Sequence, residues 1–153
     1  IPIQRGIAMK LPPLILTSLL SLTATAALAG AGVQVDVYKS PYCGCCTKWV
    51  EHLRSEGFEV KTHDVEDVPA QRARLGMPET YGSCHTARIG NYLVEGHVPA
   101  ADVRRLLKDK PKAIGLAVPS MPPGSPGMES AKPMPYETLL IGANGSSSVF
   151  ARH

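Results

Sequence analysis

At residues 33–46 the chain reads VQVDVYKSPYCGCC, and this stretch decides the fold. Its first part, Val33–Tyr38, is rich in β-branched residues and stops near a Ser-Pro pair, which predicts a β-strand. The segment Cys45–Glu56 has the apolar spacing of a helix and ends before Gly57, which predicts an α-helix. We therefore expect a strand that leads into a helix whose first turn carries cysteines.

Three cysteines, Cys43, Cys45 and Cys46, crowd the start of that helix. A helix N-terminus favours negative charge, and the thiolate is the form of cysteine that attacks disulfides and binds metals. Cys43 and Cys46 have the C-x-x-C spacing of thiol–disulfide redox motifs, but a disulfide enzyme needs only two cysteines there. Because a soft-metal site can use all three, Cys45 favours metal binding.

The N-terminal segment has the pattern of a secretory signal peptide that starts at Met9. An apolar run over residues 14–22 is followed by Ala-Leu-Ala at residues 27–29, the small-x-small pattern of a cleavage site. The run is shorter than the roughly 20 residues of a membrane-spanning helix, so we expect no stable membrane insertion after cleavage. The predicted organisation is residues 1–29 as upstream residues and cleavable signal peptide, and residues 30–153 as a single domain.

The net charge and the predicted compartment limit the classes of partner and the cysteine pairings that we expect. The chain has 16 Lys and Arg against 13 Asp and Glu, a net charge of +3, without a basic run interleaved with aromatic residues. Nucleic acid is therefore not an expected partner. A signal peptide predicts export to the periplasm, an oxidising compartment in which cysteines normally pair. Adjacent cysteines such as Cys45 and Cys46 bond only with strain, so two ordinary structural disulfides are disfavoured.

The remaining elements follow the order of a thioredoxin. After the first helix, the patterns predict a strand (58–65), a short helix (69–75), a hairpin (86–89 and 92–95) and a helix (99–108). The order β-α-β-α-β-β-α predicts a thioredoxin-like α/β fold whose first two strands are parallel and joined by a right-handed crossover.

Two additions extend that order. The segment Leu116–Met134 is dense in Pro, Gly and Met, and we call it the Pro/Met-rich loop. Behind it, Tyr136–Ile141 and Ser147–Ala151 flank an Asn-Gly turn and predict a C-terminal β-hairpin. A terminal strand pair must pack on something, so we expect the loop to lie across the domain.

A fourth cysteine is expected to join the first three. In the thioredoxin order, the segment Gly82–Thr86 lies just before the third strand, in the loop beside the C-x-x-C segment. That loop usually carries a proline, and here Cys84 and His85 take its place. We therefore expect both side chains to face the cysteines of the first helix.

The candidate metal ligands are Cys43, Cys45, Cys46 and Cys84 as thiolates, His85, Met121 and Met128 as auxiliary ligands, and His97 as a weaker candidate whose position depends on strand direction. Thiolates and thioethers select Cu(I), zinc or iron–sulfur clusters, and an exported chain rarely receives the last of these. Zinc is satisfied by four ligands in a closed site, whereas copper would also use methionine. About seven donors exceed what one Cu(I) can use, so we expect more than one Cu(I) per chain, held as a copper–thiolate cluster.

Four motifs in order make the chain recognisable. They are Tyr42–Cys46, Ser83–Ala87, Val94–Pro99 and Gly115–Glu129. Together they resemble the CopG-like periplasmic copper-resistance proteins, a metal-binding family of unknown function, over nearly all of Val33–Phe150. The resemblance implies a thioredoxin-like fold, copper binding and a place in copper or silver efflux. The chain departs from the family pattern at Ser120, where glycine is common.

The sequence therefore favours a periplasmic copper-resistance protein that holds Cu(I), with copper efflux or periplasmic copper-trafficking proteins as partners. It leaves open whether the protein interconverts Cu(I) and Cu(II) as an oxidoreductase or passes copper to an exporter. One alternative is a thiol–disulfide oxidoreductase with Cys43 as nucleophile and Cys46 as resolving thiol, and these two are also the pair expected to oxidise. The other alternative is a zinc-stabilised binding module.

Overall fold

The computed structural model describes residue 2 and residues 32–153. The predicted signal peptide, including its start at Met9 and its cleavage site after Ala29, lies outside the described residues. Within the described part of the chain, no helix is both long enough and apolar enough to cross a membrane.

The helices and strands follow one another in the predicted order as far as the third helix. They are β1 (Gln34–Lys39), α1 (Gly44–Ser55), β2 (Glu59–Asp64), α2 (Val68–Leu75), a single 3-10 turn (Glu79–Tyr81), β3 (His85–Ile89), β4 (Tyr92–Gly96), α3 (Ala100–Asp109), β5 (Ala113–Val118), β6 (Glu137–Gly142) and β7 (Ser147–Arg152). The predicted boundaries agree with these to within one or two residues. The C-terminal hairpin is formed by β6 and β7, as expected.

Strand β5 was not predicted, and the predicted first residue of the Pro/Met-rich loop, Leu116, was wrong. Residues Leu116–Val118 belong to β5, and the loop itself begins at Pro119. The strand is a short, largely buried apolar run of six residues. Periodicity does not identify such a run as a strand, because both of its faces are covered.

The seven strands form one sheet in the order β2-β1-β3-β4-β5-β6-β7. The first two strands pair in parallel, as predicted, and β3 and β4 form the predicted antiparallel hairpin. The unpredicted strand β5 pairs in parallel with β4 and antiparallel with β6. It thereby connects the C-terminal hairpin to the thioredoxin-like part of the sheet.

The core is built from the apolar faces of α1 and α3 against the sheet. Trp49, Val50 and Leu53, the face predicted for α1, are buried in one cluster with strand residues such as Val35 and Val37. The same cluster includes residues of α3. Inside it, the indole N–H of Trp49 donates to the carbonyl of Val98 (2.8 Å), so α1 is tied to the segment that follows β4.

A histidine of α1 caps the start of α3. The N-cap residue of α3, Pro99, offers no side-chain hydrogen bond, and the imidazole Nε2 of His52 instead accepts from the N–H of Ala100 (3.1 Å). Burial lowers the pKa of His52, although Glu56 and Glu129 oppose this shift. The neutral ring supplies the acceptor that a helix N-terminus needs.

A buried ion pair anchors the loop before β3. Arg72 of α2 is 2 % exposed, and its Nε donates to Oε1 of Glu95, which is fully buried on β4 (2.8 Å). The same oxygen accepts from the N–H of Ser83 (2.7 Å), and Nη2 of Arg72 donates to the carbonyl of Ser83 (2.6 Å). Both backbone groups of the residue that precedes Cys84 are therefore held by this pair.

The substitution Arg72→Met tests the contribution of this pair. It leaves the Glu95 carboxylate buried without its counter-charge, so the free energy of unfolding should fall by about 3–5 kcal/mol. Urea unfolding followed by circular dichroism measures the change. Arg152→Met is the matched control, since the pair of Arg152 with Glu137 lies on the surface and should contribute little. Equal stability of the two variants would contradict a stabilising role for the buried pair.

The His52 cap predicts a specific pH dependence of stability. Because the pKa of His52 is lowered in the folded state, its contribution is present above the ordinary pKa of about 6.5 and is lost as the pH falls below that value. His52→Gln supplies an acceptor that does not titrate. On acidification, the wild type should therefore lose more unfolding free energy than the variant. The other histidines are present in both proteins and cancel in the difference. A difference independent of pH would refute this role.

Candidate metal centre

Four cysteine sulfurs meet at the N-terminus of α1. Cys43 is the N-cap residue, Cys45 and Cys46 lie in the first helical turn, and Cys84 lies immediately before β3. All four sulfur atoms lie within 4.8 Å of one another. The Sγ of Cys45 is 3.5 Å from that of Cys43 and 4.0 Å from that of Cys84. The structure therefore brings Cys84 to the other three cysteines, as its place in the element order predicted.

A disulfide joins Cys43 to Cys46, with a Cα–Cα distance of 5.3 Å. It is the pair that the C-x-x-C spacing predicted. Cys45 and Cys84 carry free thiols and are partly exposed. The Sγ of Cys43 also accepts from the backbone N–H of Cys46 (3.3 Å), so one sulfur of the disulfide caps the helix. The structure thus describes the oxidised form of the first cysteine pair.

Two buried histidines, His85 and His97, adjoin Cys84. His97 Nε2 lies 3.0 Å from the Sγ of Cys84, and His85 Nδ1 lies 3.4 Å from the same sulfur. The other ring nitrogen of His97, Nδ1, lies 2.8 Å from the carbonyl oxygen of Pro126. Since that oxygen can only accept, Nδ1 carries the proton, and the lone pair of Nε2 points at the sulfur. Such a backbone contact is how proteins orient ligating histidines.

His97 is thus closer to the thiols than its weaker ranking in the sequence suggested. The hairpin register pairs Thr86 with Glu95, and two residues further out the same register sets Cys84 opposite His97. The signal was present in the sequence, because a two-residue turn at Gly90-Asn91 fixes every pair along the hairpin. Counting back from that turn would have placed His97 beside Cys84.

The two candidate methionines occupy different positions. Met121 Sδ lies 3.9 Å from the Sγ of Cys45, and the side chain is 45 % exposed at the mouth of the site. Met128 is half-buried further along the loop, where its N–H donates to the carbonyl of Ser125 (2.8 Å). In the described part of the chain, no hydrogen bond from a thiol reaches the sulfur of Met128. The structure therefore places Met121 in contact with Cys45 and shows no such contact for Met128 among the described residues.

The Pro/Met-rich loop packs directly on the first turn of α1, as expected. At Gly127, where φ is +86°, a Cβ atom would lie 2.8 Å from the carbonyl oxygen of Cys45 and 2.9 Å from the backbone nitrogen of Trp49. Only glycine fits this approach. At the start of the loop, Ser120 has φ of +63° and accepts at its carbonyl from the Ser83 hydroxyl. This left-handed conformation explains why glycine suits the position at which the chain departs from its family pattern.

Burial governs the protonation of the group around Cys84. Burial raises the pKa of the Cys84 thiol to about 12, and the neighbouring Cys45 adds to the rise. Burial and the neighbouring His97 lower the pKa of His85 to about 3. Burial also lowers the pKa of His97, although the Pro126 carbonyl opposes the shift. Both imidazoles are therefore neutral and able to ligate, whereas a metal must displace the proton of Cys84.

The donors form two overlapping groups that share one residue. One group is the four cysteines, and the other is Cys84 with His85 and His97. Thiolate, thioether and imidazole donors in this combination fit soft or borderline ions such as Cu(I) and Zn²⁺. Cys84 is the residue that belongs to both groups.

The chain resembles known proteins both in sequence and in structure. A glutaredoxin family model matches residues 35–88, and a family described as "Protein of unknown function, DUF411" matches residues 81–128. No curated protein sequence matches the chain. Among solved structures, two forms of copper resistance protein CopG are each 42 % identical to it. Each alignment covers 80 % of this chain and 98 % of that protein, with TM-scores of 0.76 and 0.75.

These matches agree with the fold and with the placement of the cysteines. The glutaredoxin match spans β1 to β3, which is the thioredoxin-like part of the sheet. The second match spans Cys84, His85, His97 and most of the Pro/Met-rich loop. Since the CopG structures are matched over nearly their whole length at 42 % identity, this chain belongs to the CopG family of copper-resistance proteins.

Proposed function

We propose that this protein binds Cu(I) as cargo, with more than one ion held by bridging thiolates, and that it serves copper resistance in the periplasm. The observation that carries the proposal is the convergence of four cysteine sulfurs, the Met121 thioether and two buried imidazoles on one end of the sheet. The relatives are copper resistance proteins, which favours copper over the other soft ions.

The donor set supports copper over a closed zinc site. Four cysteines alone would saturate a tetrahedral zinc ion, which would leave Met121 and both histidines without a role. Three cysteines within one helical turn are also crowded around a single ion. Bridging relieves this crowding because each sulfur then serves two ions, and Cys84 is already shared between the two donor groups.

The disulfide supports a link between copper binding and redox state. A disulfide sulfur carries no thiolate charge and is a poor ligand, so oxidation of Cys43 and Cys46 removes two of the four thiolates. Reduction restores them. We propose that copper loading requires the reduced form. Closure of this pair, with its two electrons passed to an external disulfide oxidant by thiol–disulfide exchange, then releases the cargo to an efflux or periplasmic trafficking partner.

A thiol–disulfide oxidoreductase remains the second candidate, and the disulfide itself favours it. Cys43 is partly exposed at the helix N-terminus and Cys46 is fully buried, which is the arrangement of an attacking and a resolving thiol. Against it stand the third cysteine, Cys45, in the same turn and the cysteine–histidine pair in place of the loop proline. Catalysed reduction of a peptide disulfide in the absence of copper would favour this candidate.

Anaerobic titration of the fully reduced protein with Cu(I) tests the proposal. We expect saturation above one equivalent per chain, because the two donor groups share Cys84. Met121→Leu should weaken the binding of copper, since its thioether lies against Cys45, whereas Met134→Leu, at an exposed position of the same loop, should not. Saturation at one equivalent with Met121→Leu silent would leave a mononuclear carrier, and zinc in the protein purified under reducing conditions would indicate a zinc module.

Single cysteine variants separate copper binding from disulfide formation. Cys43→Ser removes a ligand and half of the disulfide, so both copper loading and disulfide formation should be lost or weakened. Cys45→Ser removes a ligand only and should lower Cu(I) affinity by roughly tenfold or more, about 1.4 kcal/mol, while the Cys43–Cys46 disulfide still forms. Competition with a Cu(I) chelator measures affinity, and mass spectrometry of alkylated protein measures the disulfide. Unchanged copper affinity in Cys45→Ser would argue for the oxidoreductase.

A further inference from the structure

The two cysteines outside the disulfide face each other. The sulfurs of Cys45 and Cys84 are 4.0 Å apart, close to van der Waals contact, while Cys43 and Cys46 are already joined. Both free cysteines are partly exposed, so an oxidant can reach them. They lie on different elements, one in the first turn of α1 and one in the loop before β3.

We propose that Cys45 and Cys84 are a second redox dithiol, which closes to a disulfide while the Cys43–Cys46 disulfide stays intact. The protein would then store electrons in two separate cysteine pairs. The choice of Cu(II) as oxidant rests on the proposed copper function, whereas the pairing itself rests on the geometry of the sulfurs alone.

The distance to be closed is short. A disulfide bond is about 2.05 Å long, so the two sulfurs must approach by roughly 2 Å, a movement that rotation about the Cα–Cβ bond of a cysteine can supply. Arg72 and Glu95 hold the backbone before Cys84 by hydrogen bonds to the carbonyl and the N–H of Ser83. The rotation is therefore assigned to Cys45, whose side chain borders the open mouth of the site.

Competing pairings are less favourable. Cys45 and Cys46 are adjacent in sequence and bond only with strain. Exchange of Cys45 with the existing disulfide would join it to Cys43, whose sulfur is 3.5 Å away, but this exchange only moves a disulfide and donates no electrons. Closure with Cys84 is the pairing that oxidises two further thiols.

The reaction balances with Cu(II) as the oxidant. Two thiols lose two protons to solvent and two electrons, one S–S bond forms between Cys45 and Cys84, and two Cu(II) ions each accept one electron to become Cu(I). A dithiol reductant would reopen the pair. A chain whose first pair is already oxidised could in this way still reduce Cu(II).

The test uses wild-type protein in which the Cys43–Cys46 disulfide is intact and two thiols are free. Under anaerobic conditions, Cu(II) is added with a chromogenic Cu(I) chelator, and free thiols are counted in parallel. We expect about two Cu(I) per chain and the loss of both free thiols, with a Cys45–Cys84 linkage in peptide mapping. A second arm replaces copper with the thiol oxidant diamide and should give the same linkage.

Matched variants identify the cysteines that supply the electrons to Cu(II). Cys45→Ser and Cys84→Ser should each abolish the intramolecular linkage and the paired yield of Cu(I). The double variant Cys43→Ser/Cys46→Ser lacks the first pair and should still give about two Cu(I) and the same linkage. Its circular dichroism spectrum is compared with that of wild type to establish that it is folded.

Several results would overturn the proposal. Unchanged free thiols in both arms would overturn it, as would disulfide-linked dimers on a non-reducing gel or a linkage that maps only to Cys43 and Cys45. Closure by diamide but not by Cu(II) would overturn the copper step and leave the dithiol pair standing. Cu(I) binding by the fully reduced chain is measured separately. The proposed copper function can therefore hold even when Cys45 and Cys84 do not form a disulfide, and the disulfide can form even when the copper function is wrong.

Discussion

The site depends first on the buried ion pair of Arg72 and Glu95. Taking both charges out of water is costly, and a buried pair is by itself weak evidence of a stabilising design. Here the pair also hydrogen-bonds the N–H and the carbonyl of Ser83, which fixes the backbone before Cys84. The space is tight, since a Cβ at Gly82 would lie 2.8 Å from the guanidinium. The ion pair therefore determines where the fourth cysteine lies relative to α1.

Two opposing electrostatic environments meet at the cysteine cluster. The positive end of the α1 helix dipole adjoins the cysteines of the first turn, whereas burial keeps the Cys84 thiol protonated. The sulfurs are nevertheless in contact range of one another. Either a metal ion or an oxidant can resolve this difference, because each removes the proton from Cys84. The same geometry thus serves metal binding and disulfide chemistry, and the two compete for the same sulfurs.

The Pro/Met-rich loop covers part of the cysteine cluster. In the described structure it crosses the first turn of α1 at Gly127, orients His97 through the Pro126 carbonyl and brings Met121 to Cys45. The unpredicted strand β5 leads into this loop, and the C-terminal hairpin packs on β5. The additions to the thioredoxin order therefore contribute donors and cover, while the thioredoxin-like part supplies the cysteines and the rigid sheet.

Local patterns in the sequence determined most elements and the first disulfide, because strand alternation, helical spacing and C-x-x-C geometry act over a few residues. The meeting of Cys84 with the other cysteines followed from its place in the thioredoxin order of those elements. Strand β5 escaped detection because a short apolar run buried on both faces has no distinctive period. The contact of His97 with Cys84 was encoded in the hairpin register, which must be counted from the turn. Only the tertiary structure decided that Met121 contacts the Cys45 thiol and that Arg72 and Glu95 hold the backbone before Cys84, because these contacts join distant segments through packing that no local pattern specifies.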